Sequence, residues 1–244
     1  LQIKTCIPLF MDLFMAKDNN KISDVELDKA FEMIESYIIR REICDLPTNS
    51  LNKGFVRLGG EIEKEYSEES SYFDLFKNIM MRKVGRSRFP SDSDMEDKFI
   101  MYELYTRKPS IRQYILERLE NFGNKEQIAV DKQILTGELT IEHVMPQTLT
   151  DDWRKELGPD CEAVHLKYLN TIGNLTLTAY NSEYSNNSFN YKKTLEDKGF
   201  LSSKLYLNEY IGQCNSWGEK EIVERAKILL EKAKKIWWIP EMSN

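Results

Sequence analysis

The chain has 244 residues, 41% of them hydrophobic and 30% charged, which is enough apolar material for one large domain or two small ones. No stretch approaches the roughly 20 uncharged apolar residues of a membrane span, and a net charge of −6 argues against a protein that coats nucleic acid by bulk charge, while leaving room for a local basic groove. Cys6, Cys44, Cys161 and Cys214 stand alone, without the spacing of a zinc knuckle or a redox pair, so no zinc site is expected and a reducing cytoplasm suits them.

The opening LQIKTCIPLFMDLFMAK looks like a signal peptide only superficially. It has no basic leader and no small-residue cleavage site, its apolar run carries Asp12, and it reads as a helix already under way, as in a fragment of a longer protein. Ser23 and Glu26 then form an S-x-x-E capping box. It starts a helix through VELDKAFEMIESYIIRREIC with Leu27, Phe31, Ile34, Tyr37 and Ile38 on one face. DLPTNS breaks that helix, and further helices are predicted at roughly 50–66, 70–82, 92–106 and 110–122, with Pro90 and Pro109 at helix ends. Among them, MMRKVGRSRFP holds Arg82, Lys83, Arg86 and Arg88 with no acid. It reads either as a solvated loop or as a patch that contacts DNA phosphates. The character changes near residue 123. The β-branched residues and Thr-Gly of GNKEQIAVDKQILTGELTIEHVMPQ predict a strand or hairpin. A short helix over roughly 150–157 follows, then a strand in TIGNLTLT (171–178), whose side chains alternate. SFNYKKTLEDKGF reads as a helix stopped by Gly199, and roughly 218–236 as a long helix with Ile222, Ala226, Leu229, Leu230 and Ala233 on one face. The expected fold class is therefore mainly α with a small α+β part: a helical module over 1–125, then a mixed unit over 126–244.

The chain has only two histidines, His143 and His165. His143 follows Glu142 at the end of an apolar run. A neutral imidazole can take a proton from water near pH 7, and a carboxylate with a side-chain amide oxygen offers the hard ligands that a divalent cation needs. On a regular strand Glu142 and His143 would point to opposite faces, so a joint site requires the strand to end or twist there, as Pro146 allows. An isolated Glu-His pair also fits a surface pair with no role. Downstream stand Asn174, Asn181, Asn186 and Asn187. Turns and caps account for Asn186 and Asn187 but less well for Asn174, which opens a strand directly after Gly173.

Strand, Glu-His, loop, strand beginning with Asn, and a helix rich in Asn and Lys follow the order of a ββα-metal nuclease finger. The run TIEHVMPQTL…W…YLNTIGNLTLTAYNSEYSNNSFNYKK closely resembles the C-terminal HNH-type nuclease domain of the GmrSD family. These are modification-dependent (type IV) restriction and phage-defence enzymes. IESYIIRREICDLPTNSLNKGF resembles the family's preceding helical segment, and W…EIVERAKILLEKAKKIWWIP its end, so the resemblance spans nearly the whole chain. It implies a DNA endonuclease with His143 as general base, Glu142 and Asn181 as ligands of Mg²⁺ or Mn²⁺, and Asn174 supporting the loop that fixes the histidine. Asn186 competes with Asn181, whose spacing from Asn174 is short for the motif. Lys192 or Lys193 matches a phosphate-holding basic position, with Lys192 preferred. His165 is expected to pack or face solvent, and Asn170 stands where relatives often carry another histidine. One site per chain implies nicking, and a double-strand break then needs a homo-oligomer or two events. The family's N-terminal nucleotide-hydrolysing, DNA-sensing domain is absent from these 244 residues. A catalytically silent DNA- or partner-binding module is the competing expectation. An RNase is a third, for which the sequence shows no aromatic-rich single-strand platform.

Overall fold

The computed structural model describes residues 4–241, the side chains of residues 49, 50, 52 and 53 apart. It is 63% helical, with a single two-stranded antiparallel sheet among the described residues, so the fold is mainly α with a small α+β part. Its contacts group into two compact units. One comprises the chain up to Asp97 together with the stretch from Trp237, and the other Lys98–Ile236.

The first unit contains α1 (Ile7–Asp18), α2 (Asp24–Ile43), α3 (Asn49–Glu65) and α4 (Tyr72–Arg82), and the chain leaves it within α5 (Asp92–Phe99). The capping box forms as expected: the Ser23 hydroxyl accepts from the Glu26 N–H and the Glu26 carboxylate accepts from the Ser23 N–H. Leu27, Ile34, Tyr37 and Ile38 are buried along α2. Arg40 is buried with them. Its Nε donates to the Trp237 carbonyl, Nη1 to the Pro90 carbonyl at 3.1 Å, and Nη2 pairs with Asp92 at 2.6 Å. These bonds tie the C-terminal stretch into this unit.

The second unit carries α6 (Pro109–Asn121), α7 (Val130–Thr136), β1 (Thr140–His143), α8 (Asp151–Leu157), α9 (Cys161–Tyr168), β2 (Leu175–Thr178), α10 (Asn181–Tyr184), α11 (Phe189–Thr194), α12 (Glu209–Gln213) and α13 (Glu219–Ile236). Three expectations need correction. The helix predicted over 92–106 stops at Phe99 and resumes as a 3₁₀ turn at Leu104–Thr106; this lets Tyr102 and Leu104, two residues apart, both face inward. The strand or hairpin expected before TIEH is α7. Val130 and Ile134 recur at helical spacing, and Gly137 ends the helix in the left-handed region at φ 79°. The helix of SFNYKKTLEDKGF ends at Thr194 rather than at Gly199. The two contact units meet in sequence at Asp97–Lys98, and within the second α6 packs on α7 and α13.

β1 and β2 pair with Thr140 opposite Thr178, Ile141 opposite Leu177, Glu142 opposite Thr176 and His143 opposite Leu175. β2 is buried on both faces. The Thr176 hydroxyl compensates by donating to Asn208 Oδ1. Beneath the sheet lies a core that includes Val144, Met145, Trp153, Phe189, Trp217 and Ile222.

α13 holds the turn between α9 and β2. Arg225 is buried, and burial pulls its pKa down to about 9. Its guanidinium donates to the carbonyls of Ile172, Gly173, Leu175 and Leu207 at 2.8–3.2 Å. Gly173 allows this approach, since a Cβ there would stand 2.4 Å from the Ile222 carbonyl oxygen. Gly173→Ala is therefore expected to cost about 1–3 kcal/mol, read as a lower denaturation midpoint. An unchanged midpoint would mean that α13 can move aside.

Candidate active site

The site grows from the end of β1. The ladder stops at His143, and the next residue turns away, with the Val144 N–H donating to the Asn174 carbonyl at 3.0 Å. Asn174, in the 3₁₀ turn just before β2, fixes that turn with all of its side-chain capacity. Its Oδ1 accepts from the Met145 N–H (2.8 Å) and from Trp217 Nε1 (3.0 Å), and its Nδ2 donates to the carbonyls of Met145 (2.9 Å) and Leu169 (3.0 Å). Lys192 clamps the same turn from α11. Its ammonium donates to Glu142 Oε1 at 2.6 Å and to the carbonyls of His143 and Val144 at 3.0 and 3.1 Å. The strand thus ends where the sequence requires it to, and Glu142 and His143 line one cleft with Tyr105, Gln147, Asn181 and Asn186.

His143 is 6% exposed. Its ring stands edge-on to Tyr105, centroids 4.3 Å apart. Nε2 lies 3.4 Å from Asn170 Oδ1, an atom that can only accept. With that oxygen as acceptor, the contact favours the tautomer protonated on Nε2, in which Nδ1 carries the lone pair. Burial draws the His143 pKa down to about 4; the Asn170 contact opposes this, and the charges of Lys192, His165 and Arg112 add to it. The imidazole is therefore neutral at neutral pH. Burial also pushes the Glu142 carboxyl up and the Lys192 ammonium down, and their short contact opposes both shifts. Asn181, at the start of α10, donates from Nδ2 to the Ile141 carbonyl at 3.1 Å, which turns its Oδ1 away from the strand.

Other candidates lie elsewhere. The Lys192 ammonium has no open donor, since its three N–H bonds are used. Lys193 donates to the Cys214 carbonyl at 2.6 Å. Arg82, Lys83 and Arg88 pair with Glu65, Glu61 and Asp94, and the Arg86 carbonyl accepts from Arg41. None of these four lines the cleft. The His165 Nε2 lies 2.9 Å from the Pro146 carbonyl, in the loop after β1. Sequence reasoning missed Tyr105 and Gln147, which also line the cleft; nothing local links Tyr105 to the motif. The inward turn of Lys192 was legible, since Phe189 three residues earlier marks the buried face of α11.

No group of three or more His, Cys, Asp or Glu side chains suited to a metal occurs among the described residues. The cleft instead offers the Glu142 carboxylate with the amide oxygens of Asn181 and Asn186. This hard-oxygen set fits Mg²⁺ or Mn²⁺, which complete their shells with water and phosphate, and not zinc. No helix among the described residues is long and apolar enough to cross a membrane. Among curated proteins, none matches the chain. The family model described as GmrSD restriction endonucleases, C-terminal domain, matches residues 89–232. That is more than half of the chain and contains every residue of the cleft, so the chain belongs to the GmrSD restriction endonuclease family.

Proposed function

We propose that the chain is a metal-dependent DNA endonuclease that nicks one strand per site, with His143 as the general base. The observation that carries this reading is the buried, neutral imidazole, oriented through Nε2, beside Glu142 and Asn181 in one cleft. Nδ1 takes the proton of an attacking water. Asn174 holds the turn that aims the ring. Glu142 and Asn181 would hold Mg²⁺ or Mn²⁺, which supplies positive charge for the scissile phosphate and the departing oxygen. The nuclease domain on this reading is residues 126–244, preceded by the helical module over 1–125. The protein acts on phage or modified DNA in the cytoplasm, its targets chosen by an N-terminal nucleotide-hydrolysing domain of the same protein, and double-strand breaks come from paired copies.

A silent DNA- or partner-binding module is the second reading. Its support is the Lys192 ammonium, which already neutralises Glu142. Plasmid cleavage separates the two. The expected result is conversion of supercoiled to open-circular DNA with Mg²⁺ or Mn²⁺, abolished by EDTA. DNA retained but uncut with every metal favours the second reading.

A further inference from the structure

The cleft that holds His143 offers no free cation. No lysine or arginine lines it, and its one carboxylate, Glu142, is matched by Lys192, whose N–H bonds are already used. Asn181 is committed through its Nδ2 to the Ile141 carbonyl. Two other amides in the lining have no such commitment. Gln147 and Asn186 are exposed, and neither side chain has a hydrogen-bond partner among the described residues.

Both amides stand on backbone that is held in place. Gln147 follows Met145, whose N–H and carbonyl are bound by Asn174, and Pro146, whose carbonyl lies 2.9 Å from His165 Nε2. Asn186 sits in a β-turn closed by the Asn187 N–H, which donates to the Tyr184 carbonyl at 3.0 Å. The buried Trp153 donates from Nε1 to the Asn187 carbonyl at 2.8 Å. Ser185, which also lines the cleft, has φ 42°, a region that glycine enters freely and serine does not. Such a conformation persists only where the surroundings fix it, and it gathers at ligand sites. Donors carried on fixed turns lose little freedom when they take up a ligand.

We propose that Gln147 and Asn186 bind the non-bridging oxygens of the scissile phosphodiester through their side-chain NH₂ groups, and so hold the strand against His143 without adding charge. This rests on the nuclease reading above, in which Glu142 and Asn181 hold the metal. The reacting phosphorus must lie within reach of a water on His143, so the DNA atoms nearest the rest of this lining are phosphate oxygens and not base edges. Contacts to those oxygens carry no sequence information. Being neutral, the two amides release no counterions.

The test uses the full 244-residue chain. Gln147→Glu and Asn186→Asp keep the size of each side chain and replace its donor with an acceptor. Each is expected to slow plasmid nicking by about 10- to 100-fold, the range for a lost hydrogen bond to a charged group. The denaturation midpoint should not move, since neither amide bonds to the fold. In a His143→Ala background, where DNA stays intact, Gln147→Ala and Asn186→Ala are expected to weaken duplex binding by about 10-fold. That loss should be the same at every salt concentration, with the slope of log K against log salt unchanged. An Asn186→Asp chain that nicks at the parental rate, or at lower Mg²⁺, makes its Oδ1 a metal ligand and overturns the assignment of Asn186. A loss confined to some duplex sequences means that the amides read bases, and overturns it too. Parental nicking in both acidic variants overturns it for the pair and leaves the nuclease reading standing. A parent chain that leaves plasmid uncut whatever the metal overturns both.

Discussion

His143→Ala is expected to remove nicking while the protein stays folded. A general base contributes about 10²–10⁴-fold, so the supercoiled substrate should persist through times at which the parent chain has converted it. The imidazole makes few stabilising contacts to lose. Its partners are the Tyr105 ring at 4.3 Å and the long Asn170 contact at 3.4 Å, and an aromatic pair of this geometry contributes only about 0.5–1.5 kcal/mol beyond burial. The turn after the strand is set by Asn174 and Lys192 through the backbone, not by the imidazole. Plasmid conversion measured beside the denaturation midpoint separates lost chemistry from lost fold. Full activity in a folded His143→Ala protein would sink the assignment. His165→Ala should behave differently: it releases the Pro146 carbonyl and loosens the loop, which slows the reaction without ending it.

Much of the fold was legible because the signals are local. The Ser23–Glu26 box needs four residues to be read, and α13 needs only its apolar stripe of Ile222, Ala226, Leu229, Leu230 and Ala233. α8 begins where expected because the Thr150 hydroxyl accepts from the Trp153 N–H. β-branched residues misled at α7, since Val130 and Ile134 suit a strand by type and a helix by spacing, and packing decided the outcome. In the site, His143, Glu142, Asn174 and Asn181 stood in one motif and could be found together. Tyr105 comes from an element well upstream of the motif, and only the folded chain places it beside His143. The basic run at 82–88 looked free of acids in sequence, yet Glu61, Glu65 and Asp94 supply them from outside it. Charge balance of this kind is a tertiary property.

The role of Lys192 is where sequence and structure pull furthest apart, and its replacement discriminates sharply between them. A lysine that meets DNA phosphate should be dispensable for folding, so Lys192→Met would leave the denaturation midpoint alone and flatten the salt dependence of binding. The structure assigns the opposite pattern. The Lys192 and Glu142 side chains are 0% and 4% exposed, 2.6 Å apart, and removing one partner of such a pair costs about 3–5 kcal/mol because the other charge is left buried alone. Lys192→Met also strips a donor from the carbonyls of His143 and Val144, the turn on which the site is built. The expected result is a large fall in the denaturation midpoint together with loss of nicking. Lys193→Met, which frees the Cys214 carbonyl and the Asn215 side-chain oxygen, should do far less. The double variant Lys192→Met/Glu142→Leu should regain much of the stability, because two apolar side chains no longer strand a charge. It should regain none of the cleavage, because the carboxylate assigned to the metal is gone. Stability that returns without activity identifies the pair as a clamp whose acidic half also serves the chemistry. A midpoint unchanged by Lys192→Met would return the lysine to the phosphate.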